Sequence, residues 1–195
     1  MKKYGILGGS FNPPHIAHSI VAESVREQLE LDKIIFIPSG NHPLKKSLPA
    51  KQRFEMSKIA FGDNKNFEVS DIEIQNPDEK SYTVNTLEKL NKNYENENMR
   101  LSLIIGMDNL IEFPKWKEPE RLFLLSEVIV INRPDYSVID SKTEFLSKVK
   151  LVTVPFLEIS SSMIRELVSL KRSVRYLVSP GVEDYILKNE LYVSA

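Results

Sequence analysis

The stretch that decides the fold lies near the N-terminus at residues 4–18 and is YGILGGSFNPPHIAH. Its first four residues form a short apolar run, typical of a buried strand, and the run ends at Gly8-Gly9. Two prolines then stiffen the chain before His15, where helical spacing begins. Apolar residues keep that spacing at Ile16, Ile20, Val21, Val25 and Leu29. The stretch therefore predicts a strand, a glycine turn and a helix from residue 15 to about 31.

The same alternation of strand and helix continues along the chain. Apolar runs predict further strands at 34–37, 67–74, 101–105, 128–131 and 151–154. Helical spacing predicts helices at 50–61, 83–94, 118–125, 143–149, 162–170 and 180–188. This pattern favours an α/β fold, a Rossmann-like, mostly parallel sheet with helices on both faces. We expect one domain over residues 1–195, with a small helical C-terminal part over residues 159–195.

Composition excludes several classes of protein. The 195 residues include no cysteine, which excludes disulfides, thiolate metal sites and cysteine nucleophiles. The formal net charge is -1, without the basic excess expected for binding to nucleic acid or an anionic membrane. No apolar run approaches the roughly 18 residues of a membrane span, and the N-terminus has no secretory signal. We therefore expect a cytoplasmic protein with no nucleic-acid or membrane partner.

Residues 8–18 carry the first chemical motif. Gly8 and Gly9 allow positive φ and a close approach of phosphate to the backbone, and the N–H groups of the following helix start favour an anion. His15 and His18 are three residues apart, so both imidazoles share one face of the first turn and can donate to phosphoryl oxygens. The motif matches neither a dinucleotide fingerprint nor a P-loop. The alternative, a tight turn with two surface histidines, leaves the clustering unexplained.

The second motif is Ile159-Ser160-Ser161-Ser162-Met163-Ile164-Arg165. Serine hydroxyls before a helix cap its N–H groups and can also contact phosphates. Arg165 follows Ser162 by three residues, so its guanidinium can return to the same phosphates. The alternative is a plain N-cap with a surface arginine. Because segments after parallel strands meet at one edge of the sheet, we expect both motifs to share one site with the segment after Ile105.

Both motifs resemble known signatures. Residues 8–18 resemble the HxGH signature of a nucleotidyltransferase superfamily, with Ala17 where the motif has glycine. Residues 159–165 resemble its second signature, in which threonine often stands in place of Ser162. Other segments narrow the resemblance: Ser81-Tyr82-Thr83-Val84, Gly106-Met107-Asp108, Trp116, Arg133-Pro134, Pro180-Gly181-Val182-Glu183-Asp184-Tyr185-Ile186 and Leu191-Tyr192. In this order they resemble the bacterial nicotinate-nucleotide adenylyltransferases from residue 4 to residue 192.

This resemblance implies adenylyl transfer from ATP to nicotinate mononucleotide, giving deamido-NAD (nicotinate adenine dinucleotide) and pyrophosphate in NAD biosynthesis. The attack is expected to be direct, without a covalent intermediate. The residues implied to be catalytic are His15, His18 and Arg165. The residues implied to bind ATP are Gly8, Gly9, Ser10, Phe11, His15, His18, Gly106, Asp108, Ser160, Ser161 and Arg165. Mg²⁺ is expected on the ATP phosphates and no protein metal site is predicted.

The resemblance also implies which residues bind the acceptor substrate. The residues implied to bind nicotinate mononucleotide are Lys45, Tyr82, Thr83, Trp116 and Arg133. Taken alone, a single tryptophan such as Trp116 is more often a core or near-core residue, and Tyr82-Thr83 is equally consistent with a plain helix start. The chain departs from the family pattern at His42-Pro43-Leu44-Lys45, where the family usually has Pro-Pro-His-Lys, and at Asp135, where glycine is usual.

Three alternatives stay open from the sequence. The acceptor could be nicotinamide mononucleotide, since carboxylate and carboxamide differ by one group, or another phosphate-bearing molecule. The chain could also be a non-catalytic nucleotide sensor, although a pure binder needs no transition-state donors such as His15 and His18. The expected partners are ATP and nicotinate mononucleotide, with a homo-oligomer as a further possibility.

Overall fold

The computed structural model describes residues 1–40, 47–76, 80–95, 98–132, 144–155 and 157–193. Six parallel strands form one sheet in the order β3-β2-β1-β4-β5-β6. The strands are β1 (Lys2–Gly9), β2 (Lys33–Pro38), β3 (Phe67–Val69), β4 (Met99–Gly106), β5 (Glu127–Asn132) and β6 (Lys150–Thr153). The helices are α1 (Ile16–Gln28), α2 (Ala50–Phe61), α3 (Thr83–Asn93), α4 (Met107–Glu112), α5 (Pro119–Leu125), α6 (Ser161–Ser169) and α7 (Pro180–Lys188). The predicted α/β, Rossmann-like fold is confirmed.

Strand β2 shows why helices cover both faces of the sheet. Successive side chains of a strand point to opposite faces, and here both faces are apolar. Ile35 and Ile37 pack with α3 in one buried cluster, whereas Ile34 and Phe36 pack with α1 and Phe61 in another. Because a strand buried on both faces needs an apolar residue at every position, the unbroken run Ile34–Ile37 is the expected sequence.

The C-terminal helices do not cover the sheet directly. Ile164 and Val168 of α6 and Val182 and Ile186 of α7 form a third buried cluster, which includes Met56 of α2. Helix α2 therefore contributes to two clusters, because its Phe61 belongs to the cluster that includes Ile34 and Phe36 of β2. This packing places the second sequence motif, at the start of α6, beside the carboxyl end of the central strand β1.

Two predicted elements differ from the structure, and one helix was not predicted. The strand predicted at 67–74 ends at Val69, because the chain turns where the N–H groups of Ile74 and Gln75 both donate to the Asp71 carbonyl. The helix predicted at 143–149 is only a 3-10 turn over Leu146–Lys148 in its described part. Helix α4 was not predicted, because six residues are too few to display a helical period.

Candidate active site

A deep cleft lies where the strand order reverses between β1 and β4. Its volume is about 1000 Å³, and its floor includes Gly8 and Gly9 at the end of β1 and Gly106 at the end of β4. In open parallel sheets this position, beyond the carboxyl ends of strands at the switch point, is where ligands bind. Such a volume is at the upper end of the roughly 300–1,000 Å³ of ligand pockets.

Four of the described helices begin at this cleft, namely α1, α3, α4 and α6. The residues that line it include His15 and His18 of α1, Thr83 of α3, and Ser160 and Ser161 of α6. The first N–H groups of a helix have no partner within the helix, and the helix dipole makes its N-terminus partially positive. The helix starts therefore favour anionic groups, while the lining of the cleft also includes the carboxylates of Glu73, Asp108 and Glu158 and the ammonium of Lys80.

The two histidines of the first motif are stacked. Their ring centroids lie 3.7 Å apart, with 30° between the ring planes. The backbone N–H of His15 donates to Nδ1 of His18 at 3.1 Å. In a neutral imidazole an accepting Nδ1 leaves the ring proton on Nε2. His18 is therefore held in the tautomer that can donate from Nε2 to an oxygen of a bound phosphate.

Helix α6 fixes the loop that carries the first motif. Nη1 of Arg165 donates to the Asn12 carbonyl at 2.8 Å, and Nη2 donates to Ser162 Oγ at 3.0 Å. Ser161 Oγ donates to the Pro13 carbonyl at 2.8 Å. Two carbonyls of the loop over residues 8–15, here called the phosphate loop, are thus occupied by side chains of the second motif. The two motifs form one structure although they are about 150 residues apart in sequence.

Gly9 is required because of Phe11 rather than because of its own dihedral angles. None of the seven glycines has positive φ, so the freedom of Gly8 and Gly9 to adopt it is not used here. A Cβ on Gly9 would lie 3.0 Å from the Phe11 ring. Phe11 itself has a φ of 44°, a strained conformation for an aromatic residue that its burial maintains.

Tyr192, near the C-terminus, also reaches the phosphate loop. Its phenol donates to Oδ1 of the buried Asn12 at 2.9 Å. Burial raises the pKa of Tyr192 above the ordinary value, so the native state favours the neutral phenol that can donate this bond. Asn12 is therefore held through its side chain by Tyr192 and through its carbonyl by Arg165.

We expect Tyr192→Phe to lower the free energy of unfolding by about 1 kcal/mol at pH 7, because only one hydrogen bond is lost. A raised native pKa gives stability that is present below the unfolded pKa of about 10 and is lost as the pH rises above it. The advantage of the wild type over the variant should therefore shrink by about 1 kcal/mol per pH unit above pH 10. Urea unfolding at pH 7 and pH 11 measures both values, and a difference that is constant with pH would contradict the prediction.

The opposite side of the cleft is lined by residues at the start of α3 and by Trp116. The half-buried Trp116 ring lies against Phe113, with centroids 5.2 Å apart and a tilt of 31°. Lys117 Nζ lies 5.1 Å from the centroid of the Tyr82 ring and donates to Asn85 Oδ1 at 3.1 Å. This side thus combines aromatic surface with the N-terminus of a helix, which suits a planar ring bearing an anionic substituent.

The structure brings most of the predicted site residues together in one cleft. Those that line it are Gly8, Gly9, His15, His18, Tyr82, Thr83, Gly106, Asp108, Trp116, Ser160 and Ser161. Ser10, Phe11 and Arg165 lie in or against the phosphate loop without lining the cleft. Lys45 and Arg133 lie outside the described residues.

Sequence reasoning missed Arg53, which is 1% exposed in the first turn of α2. Its guanidinium donates to the Ser10 carbonyl at 2.7 Å, the Ser39 carbonyl at 2.6 Å, the Gly40 carbonyl at 3.0 Å and the Leu48 carbonyl at 3.0 Å. Burial lowers the pKa of Arg53, but arginine stays protonated at neutral pH. No sequence signal separates this arginine from a surface arginine, because helix α2 has weak amphipathic patterning.

The described ranges contain neither a cluster of metal-ligating side chains nor a membrane-spanning helix. Within them, no group of three or more His, Cys, Asp or Glu side chains is arranged to hold a metal ion. No helix in the same ranges has the length and apolar character needed to cross a membrane.

Comparison with known proteins first gives the class. The model of the cytidylyltransferase-like family matches residues 6–167, which include both sequence motifs. The chain belongs to this family, and it is a nucleotidyltransferase.

Full-length relatives narrow the class. A protein of Caldicellulosiruptor saccharolyticus named probable nicotinate-nucleotide adenylyltransferase is 39% identical, over 97% of this chain and 98% of its own length. A protein of the same name from Lachnoclostridium phytofermentans is 35% identical, over 99% of this chain and all of its own length. Within the nucleotidyltransferases the chain therefore belongs to the nicotinate-nucleotide adenylyltransferases, as the sequence resemblance predicted.

Solved structures agree on the fold. The nicotinic acid mononucleotide adenylyltransferase of Plasmodium falciparum complexed with NaAD superposes with a TM-score of 0.81, over 98% of both chains, at 23% identity. The same protein complexed with APC gives a TM-score of 0.79 at 22% identity. A likeness at this level of identity concerns the arrangement of strands and helices.

Proposed function

We propose that the chain transfers the adenylyl group of MgATP to nicotinate mononucleotide, giving nicotinate adenine dinucleotide and pyrophosphate. A phosphate oxygen of the mononucleotide forms a bond to the α-phosphorus, and the bond from that phosphorus to the oxygen bridging to the β-phosphate breaks. The observation that carries the proposal is a single cleft that joins two phosphate-binding helix starts to an aromatic pocket. Full-length relatives that carry the name of this activity support it.

On the donor side, the proposal places the triphosphate against the starts of α1 and α6. His18, with its proton on Nε2, would donate to the α-phosphate as negative charge builds up in the transition state, and His15 would assist it. Ser160, Ser161 and Arg165 would hold the β- and γ-phosphates that leave as pyrophosphate. Arg165 already donates to the phosphate loop, so its guanidinium is oriented before ATP binds. The Ser161 hydroxyl proton is used on the Pro13 carbonyl, so Ser161 would donate to a phosphate through its backbone N–H at the start of α6.

Further donor-side contacts complete the ATP site. The N–H groups of Gly8, Gly9, Ser10 and Phe11 would face the phosphates, and Gly106 and Asp108 would bind the ribose and adenine. Mg²⁺ enters with ATP as part of the substrate. The imidazole, hydroxyl and amide groups on the triphosphate side donate hydrogen bonds to anions, so the proposal leaves Mg²⁺ to phosphate oxygens and water.

On the acceptor side, the nicotinate ring would lie on the Trp116 face, where an electron-poor pyridinium suits an electron-rich indole. Its carboxylate would accept from N–H groups at the start of α3, near Tyr82 and Thr83. Lys45 and Arg133 would contact the mononucleotide phosphate. Because that phosphate is already anionic, the reaction needs no general base, and catalysis consists of positioning and charge stabilisation.

The test is a pyrophosphate-release assay with MgATP and either nicotinate or nicotinamide mononucleotide. A carboxylate at a helix N-terminus makes charge-assisted hydrogen bonds that a carboxamide does not. We therefore expect kcat/KM to be higher for the acid by at least about tenfold, or about 1.4 kcal/mol. The His18→Ala protein serves as the blank for background hydrolysis.

Two results of this assay would contradict the proposal. A preference for nicotinamide mononucleotide would keep adenylyl transfer and overturn the carboxylate pocket at α3. No release with either acceptor, from a folded protein that binds ATP, would overturn both acceptors and favour another phosphate-bearing acceptor or a nucleotide sensor.

A further inference from the structure

We propose that Arg53 is a positioning residue for this reaction, because its guanidinium holds the two sides of the cleft at a fixed separation. The inference rests on the proposed function. Arg53 does not line the cleft, and none of its nitrogens is directed at a substrate site. It acts instead through the backbone carbonyls that it binds, and these belong to segments on both sides of the cleft.

The first of these segments is the phosphate loop on the donor side. Arg53 Nη1 donates to the Ser10 carbonyl at 2.7 Å across 43 residues of sequence. Because Arg53 of α2 binds this carbonyl, the peptide group that contains it is fixed in one orientation. The phosphate loop thus has three of its carbonyls bound by side chains, by Arg53 from α2 and by Arg165 and Ser161 from α6.

The second segment is the chain that follows β2, on the acceptor side. Arg53 Nη2 donates to the carbonyls of Ser39 and Gly40, and both residues line the cleft. Gly40 lies so close to the start of α3 that a Cβ there would be 2.7 Å from Ser81 Oγ. The position of Gly40 is therefore coupled to the end of α3 where the nicotinate carboxylate is proposed to bind.

A single planar guanidinium thus connects the donor side to the acceptor side. Its fork has a fixed geometry, whereas the lysine ammonium is a point charge on a flexible stem. The Arg53 charge is compensated by the dipoles of the four carbonyls that it binds, and the Glu73 carboxylate also attracts it. In-line transfer requires the attacking oxygen and the α-phosphorus at contact distance, and a displacement of about 1 Å can cost roughly 10²-fold in rate.

This role makes a specific kinetic prediction for Arg53→Met. The variant keeps the groups that contact both substrates but loses the connection between them. We expect kcat to fall at least about tenfold, with KM for ATP and for the mononucleotide each within about threefold of wild type. Arg53→Lys retains the charge without the fork, so we expect it to recover less than half of the lost kcat.

Ser57→Ala is the matched control. Ser57 is fully buried one turn further along α2, and its hydroxyl donates to the Arg53 carbonyl without reaching either loop. Its replacement disturbs the interior of the same helix, so we expect a lower melting temperature with kcat within twofold of wild type. The wild type and the three variants are assayed well below their melting temperatures. Calorimetric titration with ATP gives the fraction of binding-competent protein in each sample. Each kcat is divided by this fraction, which gives the corrected kcat.

The outcomes separate this proposal from the proposed function. The comparison uses whichever mononucleotide the wild type turns over faster, so a wrong acceptor assignment leaves the Arg53 test intact. Corrected kcat of Arg53→Met equal to wild type would overturn the proposal, as would full recovery of kcat in Arg53→Lys. If Arg53→Met does not fold, Arg53→Lys decides: reduced kcat with unchanged KM supports the proposal, and wild-type kcat overturns it.

Discussion

Replacement of His18 by alanine should lower kcat by roughly 10²–10³, the usual cost of one preorganised transition-state donor. The reason lies in the hydrogen bond from the His15 N–H to His18 Nδ1, which fixes the ring in the tautomer from which Nε2 is proposed to donate to the α-phosphate. Because this donation strengthens only as charge builds up on the phosphate, KM for ATP should change little.

The fold should survive this change. His18 is on the first turn of α1 and lines the cleft rather than the core. Ile20→Ala is the matched control, since Ile20 is exposed on the same helix and does not line the cleft. Circular dichroism and steady-state kinetics on both variants provide the test. Near-normal kcat in a folded His18→Ala protein would exclude the proposed role of this imidazole.

Replacement of Phe11 by alanine should lower the free energy of unfolding by about 3–5 kcal/mol, the range for truncation of a buried aromatic side chain. Phe11 is only 2% exposed and packs edge to face on Phe36, Phe61 and His18, with centroid distances of 6.0, 5.5 and 5.0 Å. The ring also lies beneath Gly9. Its loss would leave a cavity under the phosphate loop and remove one wall of the His18 site.

Urea unfolding of Phe11→Ala, Phe11→Leu and Phe54→Ala measures this contribution. Phe11→Leu keeps most of the apolar volume and should lose much less stability than alanine. Phe54, on α2, is only partly buried and serves as the control for a generic loss of an aromatic ring. A loss below about 1 kcal/mol for Phe11→Ala would mean that neighbouring side chains fill the space, and that Phe11 does not support the loop.

Local patterns were sufficient for the sheet and for the two motifs. The run Ile34–Ile37 is apolar at every position, and this property belongs to the sequence wherever the strand lies. The cluster of glycines, prolines and histidines in residues 8–18 likewise predicts a phosphate-binding turn before any contact is known. Elements with short or irregular patterns were predicted poorly, namely α4, the end of β3 and the 3-10 turn Leu146–Lys148.

The sequence by itself therefore determined the α/β class, the family and the two motifs that meet at the cleft, because these depend on periodicity and on residue type at short spacing. Only the tertiary structure decided how the phosphate loop is held. Arg53 and Tyr192 reach it across 43 and 180 residues of sequence. They bind a backbone carbonyl and a side-chain amide, which accept a donor from any element that packs nearby. Such bonds leave no periodicity or spacing in the sequence, because they depend on where α2 and the C-terminal segment pack.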